Sequence, residues 1–109
     1  MEIKTFPFQT LDWSGIDAEI QPGTTGTATR KIFQMSDTRV RMVEYSPGYL
    51  ADHWCSKGHI LLCLEGELTV ELQDGRIFIL TPGISYQVAD GAEPHRSHTT
   101  TGVKLFIVD

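Results

Sequence analysis

From Gly48 to Gly66 the chain reads Gly-Tyr-Leu-Ala-Asp-His-Trp-Cys-Ser-Lys-Gly-His-Ile-Leu-Leu-Cys-Leu-Glu-Gly. His53 and Cys55 are two residues apart, so on an extended strand both side chains leave the same face. His59 follows after the Ser56-Lys57-Gly58 break. Imidazole nitrogen and thiolate sulfur are ligands that transition metals take readily, so the stretch outlines a metal site that needs one more ligand from elsewhere in the chain.

Outward from this stretch the sequence reads as short strands separated by turns. Upstream, Gln21-Pro22-Gly23-Thr24-Thr25-Gly26 is a loop by composition, and Thr27 to Ser36 and Thr38 to Tyr45 are β-branched, alternating runs joined at Asp37. In the second run Arg39, Arg41, Val43 and Tyr45 share one face, which makes Arg41 and Tyr45 candidates to line a pocket. Tyr49 to Trp54 is expected to be a strand after the Ser46-Pro47-Gly48 turn. His59 to Leu64 is a continuous apolar run, the pattern of a strand buried on both faces. A strand that sends His59 inward sends Leu61 and Cys63 inward too, so Cys63 is expected in the core.

Downstream, Leu68 to Leu72 and Ile77 to Leu80 flank Asp74-Gly75, a hairpin signal. Tyr86 to Val88 and Val103 to Val108 complete eight or nine strands, with Tyr86 a further pocket candidate. Residues 3 to 20 read as a short strand or coil covering one end of the barrel. Turn signals every 8 to 12 residues and no helical periodicity predict an all-β sandwich or barrel.

The residues of the central stretch resemble the cupins. The first cupin motif, G-x5-H-x-H-x3,4-E-x6-G, is matched by Gly48, His53, Cys55, His59 and Gly66, with the first gap one residue short, Cys55 in place of His and His59 in place of Glu. The Asp52-His53-Trp54-Cys55 run is similar to the small cupins called DHCW-motif proteins. The second motif, G-x5-P-x-G-x2-H-x3-N, fits from Gly83 through Ala89, Gly91, His95 and Thr99, with one extra residue before His95. A rival register from Gly75 would put Tyr86 at the ligand position, but it leaves too few residues after Gly66 for the hairpin. The resemblance implies a single cupin jelly roll, a double-stranded β-helix barrel over 27–109 with residues 1–26 as an N-terminal strand and loop segment. It also implies a divalent metal held by His53, Cys55, His59 and His95.

Three imidazoles and one thiolate give a divalent ion the same charge as three imidazoles and one carboxylate. Thiolate is softer, with bonds of about 2.3 Å to zinc, which favours zinc, with iron, nickel and copper as alternatives, over manganese. If all four residues bind a four-coordinate ion, no position stays open and the site is structural; a higher coordination number leaves room for substrate. The function expected is therefore a metal-binding small cupin with a small-molecule pocket and an undetermined reaction. Oxygenase, isomerase or lyase chemistry, a metal-sensing or ligand-binding module, and a structural metal site are the three readings.

Composition narrows the partners. The 109 residues are 40% hydrophobic and 21% charged, the balance of one soluble domain, and no apolar run approaches the ~20 residues of a membrane helix. The net charge of −5 and the absence of a basic cluster longer than Arg30-Lys31 argue against nucleic acid. No secretory signal opens the chain, so a cytoplasmic location is expected, and Cys55 and Cys63 are expected as thiols or ligands, not a disulfide. Alternation from His95 places His98 at the surface. Trp54 and the outward Ile60, Leu62 and Leu64 need cover, which predicts a homodimer.

Overall fold

Val103, Leu105 and Ile107 alternate with Lys104, Phe106 and Val108, and the first three are at most 3% exposed. This strand is the middle of the protein. The computed structural model describes residues 6–109, and in it nine strands form two antiparallel sheets. They are β1 (Glu19–Pro22), β2 (Thr27–Met35), β3 (Thr38–Tyr45), β4 (His59–Gly66), β5 (Leu68–Leu72), β6 (Ile77–Leu80), β7 (Ser85–Val88), β8 (His95–His98) and β9 (Val103–Val108). The larger sheet runs β1-β2-β3-β9-β4-β7 and the smaller β6-β5-β8. The all-β expectation holds.

The inner faces of the two sheets meet in one apolar cluster. Val43 of β3, Leu61 and Cys63 of β4, Leu68 and Val70 of β5, Leu80 of β6 and the three buried residues of β9 form it. Cys63, expected in the core, is 1% exposed. Each of these large side chains contributes roughly 1.5–3 kcal/mol by leaving water. The chain returns from β4 into β5 at Gly66, whose φ is +84° and where a Cβ would sit 2.2 Å from the Gly102 carbonyl, so only glycine fits this corner.

Three expectations need correction. β4 is buried on one face only: Leu61 and Cys63 are enclosed, while Ile60 and Leu64 on the other face are 42% and 41% exposed. An antiparallel sheet can leave its outer face to solvent, so an unbroken apolar run does not require two-sided burial. Residues Tyr49 to Trp54 form no strand. Leu50 makes isolated bridges to Thr25 and His98, Cys55 makes one to His95, and the chain bends between them at Asp52 and His53. The stretch from Gln21 is also not all loop, because Gln21 and Pro22 end β1, paired with Ala28 and Thr27.

Residues 3–5 of the N-terminal segment lie outside the described residues. The described rest of that segment holds β1 and, before it, a 3-10 turn, Trp13–Gly15, capped by the Asp12 carboxylate, which accepts from the Ser14 amide at 3.0 Å. Lys31 Nζ donates to the Trp13 carbonyl and ties the turn to β2. Phe8 remains 95% exposed. Among the described residues no helix is long and apolar enough to cross a membrane.

Candidate metal centre

Cys55 and His95 are held side by side by the backbone. The Cys55 amide donates to the His95 carbonyl at 2.8 Å and the His95 amide returns a bond to the Cys55 carbonyl at 3.0 Å. Such a reciprocal pair puts both side chains on one face. His59 arrives from the other sheet at the start of β4. Gly58 precedes it where a Cβ would lie 2.6 Å from the Asp90 amide nitrogen and 2.8 Å from the Val88 carbonyl, so the missing side chain lets the chain enter β4 against β7. The result is that one ligand-type atom from each of Cys55, His59 and His95 lies within 4.8 Å of the other two.

The two imidazoles are unequally committed. His95 Nδ1 is 2.9 Å from the Glu93 carbonyl, which can only accept, so Nδ1 carries the proton and Nε2 keeps its lone pair. That Nε2 is buried and has no partner among the described residues. His59 Nε2 is 2.7 Å from the Tyr86 hydroxyl, and its Nδ1 is likewise buried without a partner. The rings of His59 and His95 are perpendicular with centroids 4.9 Å apart. Leaving two buried nitrogens unsatisfied is costly, and an ion held by the cluster would relieve that cost wherever it meets a free ring nitrogen. The donor set therefore fits a soft or borderline divalent ion.

Burial, the neighbouring His95 and the Arg41 charge hold the His59 imidazole neutral, with its pKa lowered to about 4. Neutral imidazole is the form that binds metal. Burial pushes the Tyr86 phenol well above its usual range, so it stays protonated as a hydrogen-bonding neighbour of His59.

The three residues border a cavity of about 470 Å³. Arg41, Tyr45 and Tyr86 stand in its wall, as do Arg30, Arg39 and Asp109, which sequence reasoning did not place there. Inward alternation on β3 and β9 carries the signal for Arg39 and Asp109, since Arg41 pairs with Ile107 and Arg39 with Asp109 two residues on. Burial works against ionisation of Asp109, but the Arg39 hydrogen bonds and the Arg41 and Arg39 charges outweigh it and hold the carboxyl below the usual range. Arg41 sits below the ordinary arginine value, first because of burial and then because Arg39 and Arg30 repel it against the pull of Asp109.

The structure does not bring His53 to the other three. Its side chain is 72% exposed at the cavity rim, with Nδ1 2.6 Å from the Asp52 carboxylate. The bend at Asp52 and His53 breaks the period-two alternation that would have put His53 on the face of Cys55. His98 is half-buried and not exposed, and Trp54 lies under the Arg96 guanidinium at 4.7 Å.

No protein-family model matches the chain, and no curated protein matches it significantly. Solved structures do. A predicted oxalate decarboxylase from Thermotoga maritima superposes with a TM-score of 0.78 at 17% identity, over 92% of this chain and 96% of that one. An ectoine synthase from P. lautus gives 0.75 at 18% identity, over 93% and 76%. An RmlC-like cupin from Shewanella frigidimarina gives 0.74 at 21% identity, over 94% and 89%. At such identities the likeness speaks for the fold alone, and the fold it identifies is the cupin jelly roll.

Proposed function

We propose that the protein is a metal-binding cupin whose ion is held by Cys55, His59 and His95 at the wall of a small-molecule pocket. The observation that carries this reading is the gathering of Cys55, His59 and His95, each with one ligand-type atom within 4.8 Å of the others, while each imidazole keeps a buried nitrogen without a partner among the described residues. With His53 outside the set, three protein ligands remain, the number typical of catalytic sites, while structural sites close with four. That favours substrate handling over a purely structural ion. A bound divalent ion would supply Lewis-acid polarisation of a substrate oxygen.

The chain's own residues define what surrounds it. As a metal ligand Cys55 would bring one negative charge, while His95 is oriented by the Glu93 carbonyl and His59 by the Tyr86 hydroxyl, which is within reach of a proton on that ring. The soft donor set supports zinc first, then copper, iron or nickel. Similar solved cupins include an ectoine synthase and a predicted oxalate decarboxylase, proteins named for small-molecule chemistry, which supports a small-molecule ligand here. The half-exposed Ile60 and Leu64 on the outer face of the larger sheet support a homodimer.

Elemental analysis of protein purified without an affinity tag tests the reading, because a tag's histidines would add their own metal. Close to one transition-metal ion per chain is expected. A chain that stays metal-free after reconstitution with zinc, iron, nickel and copper in turn overturns it.

A further inference from the structure

The cavity beside the cluster has a charge imbalance that the protein itself leaves unresolved. Arg30, Arg39, Arg41, Lys57 and Arg96 stand in its wall against two acids, Asp52 and Asp109. Asp52 is at the rim and occupied with His53. Arg96 is turned to Glu71 and Trp54. Lys57 is exposed, which leaves Arg30, Arg39 and Arg41 in the inner wall with one side-chain carboxylate, Asp109.

That carboxylate is fully engaged. Asp109, with 1% of its side chain exposed, takes a two-point fork from Arg39, Nε at 3.0 Å and Nη2 at 2.9 Å, and one bond from Arg41 Nη2 at 3.0 Å. Arg41 is left with a buried Nε that has no partner among the described residues and a side chain only 12% exposed. Arg30 shows the same deficit among the described residues: its Nε is buried and unpaired, and its one acidic partner there, Glu19, is 62% exposed on the solvent side. Two arginines share one side-chain carboxylate and the third is paired only on the solvent side, so the wall keeps an excess of positive charge that an anionic ligand would offset.

We propose, resting on the metal-pocket reading above, that the ligand is a small organic acid with two anionic oxygen groups. A carboxylate meets Arg41 and Arg30, and a second oxygen donor faces the Cys55, His59 and His95 cluster. A planar carboxylate matches the guanidinium groups in this wall in charge and in flat, multiple-donor geometry. The volume suits a metabolite-sized molecule. A phosphate would more often be cradled by a helix N-terminus, and the 3-10 turn at Trp13–Gly15, the sole helical element among the described residues, contributes nothing to this wall.

Calorimetric titration at low ionic strength, on zinc-reconstituted and on chelator-treated protein, tests this with succinate, its uncharged diamide and inorganic phosphate. Succinate is expected to bind both forms, more tightly with zinc, and the diamide to neither. Arg41→Gln should weaken succinate about tenfold or more and Arg30→Gln several-fold, at unchanged metal content, since each removes a charged hydrogen-bond donor. Asp109 keeps its Arg39 fork in the first variant. If that variant fails to fold, Arg30→Gln, whose partner is exposed, decides the matter. Succinate affinity indifferent to the arginines, equal binding of the diamide, tighter binding of phosphate, or no binding by either form overturns the proposal. Metal content measured on the same samples separates the two readings: a chain that takes no metal yet binds succinate through Arg41 fails only the first, and one that takes metal but ignores succinate fails only the second.

Discussion

Replacing His53 by alanine separates a three-ligand centre from a four-ligand one. Apparent zinc affinities in four-ligand protein sites amount to roughly 10–16 kcal/mol, so each ligand carries on the order of 3–4 kcal/mol, and loss of one costs about 10²–10³-fold in affinity. That is the change expected for Cys55→Ser, His59→Ala and His95→Ala. His53 has 72% of its side chain in solvent and one partner, the Asp52 carboxylate, itself 61% exposed. A pair so exposed contributes little, and its loss reaches the ion only as a screened field effect. His53→Ala should therefore change zinc affinity by no more than about threefold. Competition against a chromophoric chelator, at fixed neutral pH and ionic strength on tag-free protein, resolves the two outcomes easily. A His53→Ala protein that loses zinc as completely as His59→Ala would refute the reasoning and restore His53 to the ligand set.

Other expectations follow from the same geometry. In the metal-free protein His59 is held at about 4 against 6.5 for an exposed imidazole, so below pH 6.5 the unfolded chain takes up the proton first. Stability should be full above that value and fall as the pH drops towards 4, by about 2 kcal/mol after allowing for partial solvent access. Urea midpoints that stay flat across that window count against it. Iodoacetamide should label Cys55 in metal-free protein, slow sharply with metal bound, and leave Cys63, 1% exposed, untouched in both; rapid labelling of Cys55 in fully loaded protein would remove it from the ligands. Leu105→Ala empties a site with 0% exposure in the central strand and should cost about 2–5 kcal/mol, and a loss under about 1 kcal/mol would mean that the core repacks freely. Light scattering should return twice the 12.2 kDa chain mass at micromolar concentration, and the single-chain mass would end the homodimer proposal.

Legibility in the sequence tracks the physical source of each feature. β2, β3, β5 and β6 could be read because alternation and turn residues coincide there, Asp37 and Asp74-Gly75 sitting where the hairpins turn. β8 carries no hydrophobic signal at all: His95, Arg96, Ser97 and His98 are all polar, yet His95 and Ser97 are buried against β5 and the Cys55 bridge. Its strand character comes from pairing partners distant in the chain, which no local pattern can display. β1 was hidden for a related reason, since an edge strand tolerates Pro22 at its end.

The site divides along the same line. Period-two reasoning applies only where a continuous ladder fixes the pleat, and it succeeds on β3 and β4, where Arg41 and His59 point inward on paired strands. Between Leu50 and Cys55 the chain is pinned by isolated bridges at its two ends and bends freely between them, so His53 and Cys55 need not share a face although their spacing is two. The motif spacing thus locates the segment, and the backbone pairing of Cys55 with His95 decides which of its side chains reaches the cluster. The arginines show the converse. Arg39 and Arg41 lie on β3, which is paired with β2 on one side and β9 on the other, so alternation directs both inward, and what the chain pattern alone could not reveal is that a single side-chain carboxylate, Asp109, must answer for two of them. An excess of positive charge is a property of the assembled wall, because it depends on which acids the folded chain keeps away from it.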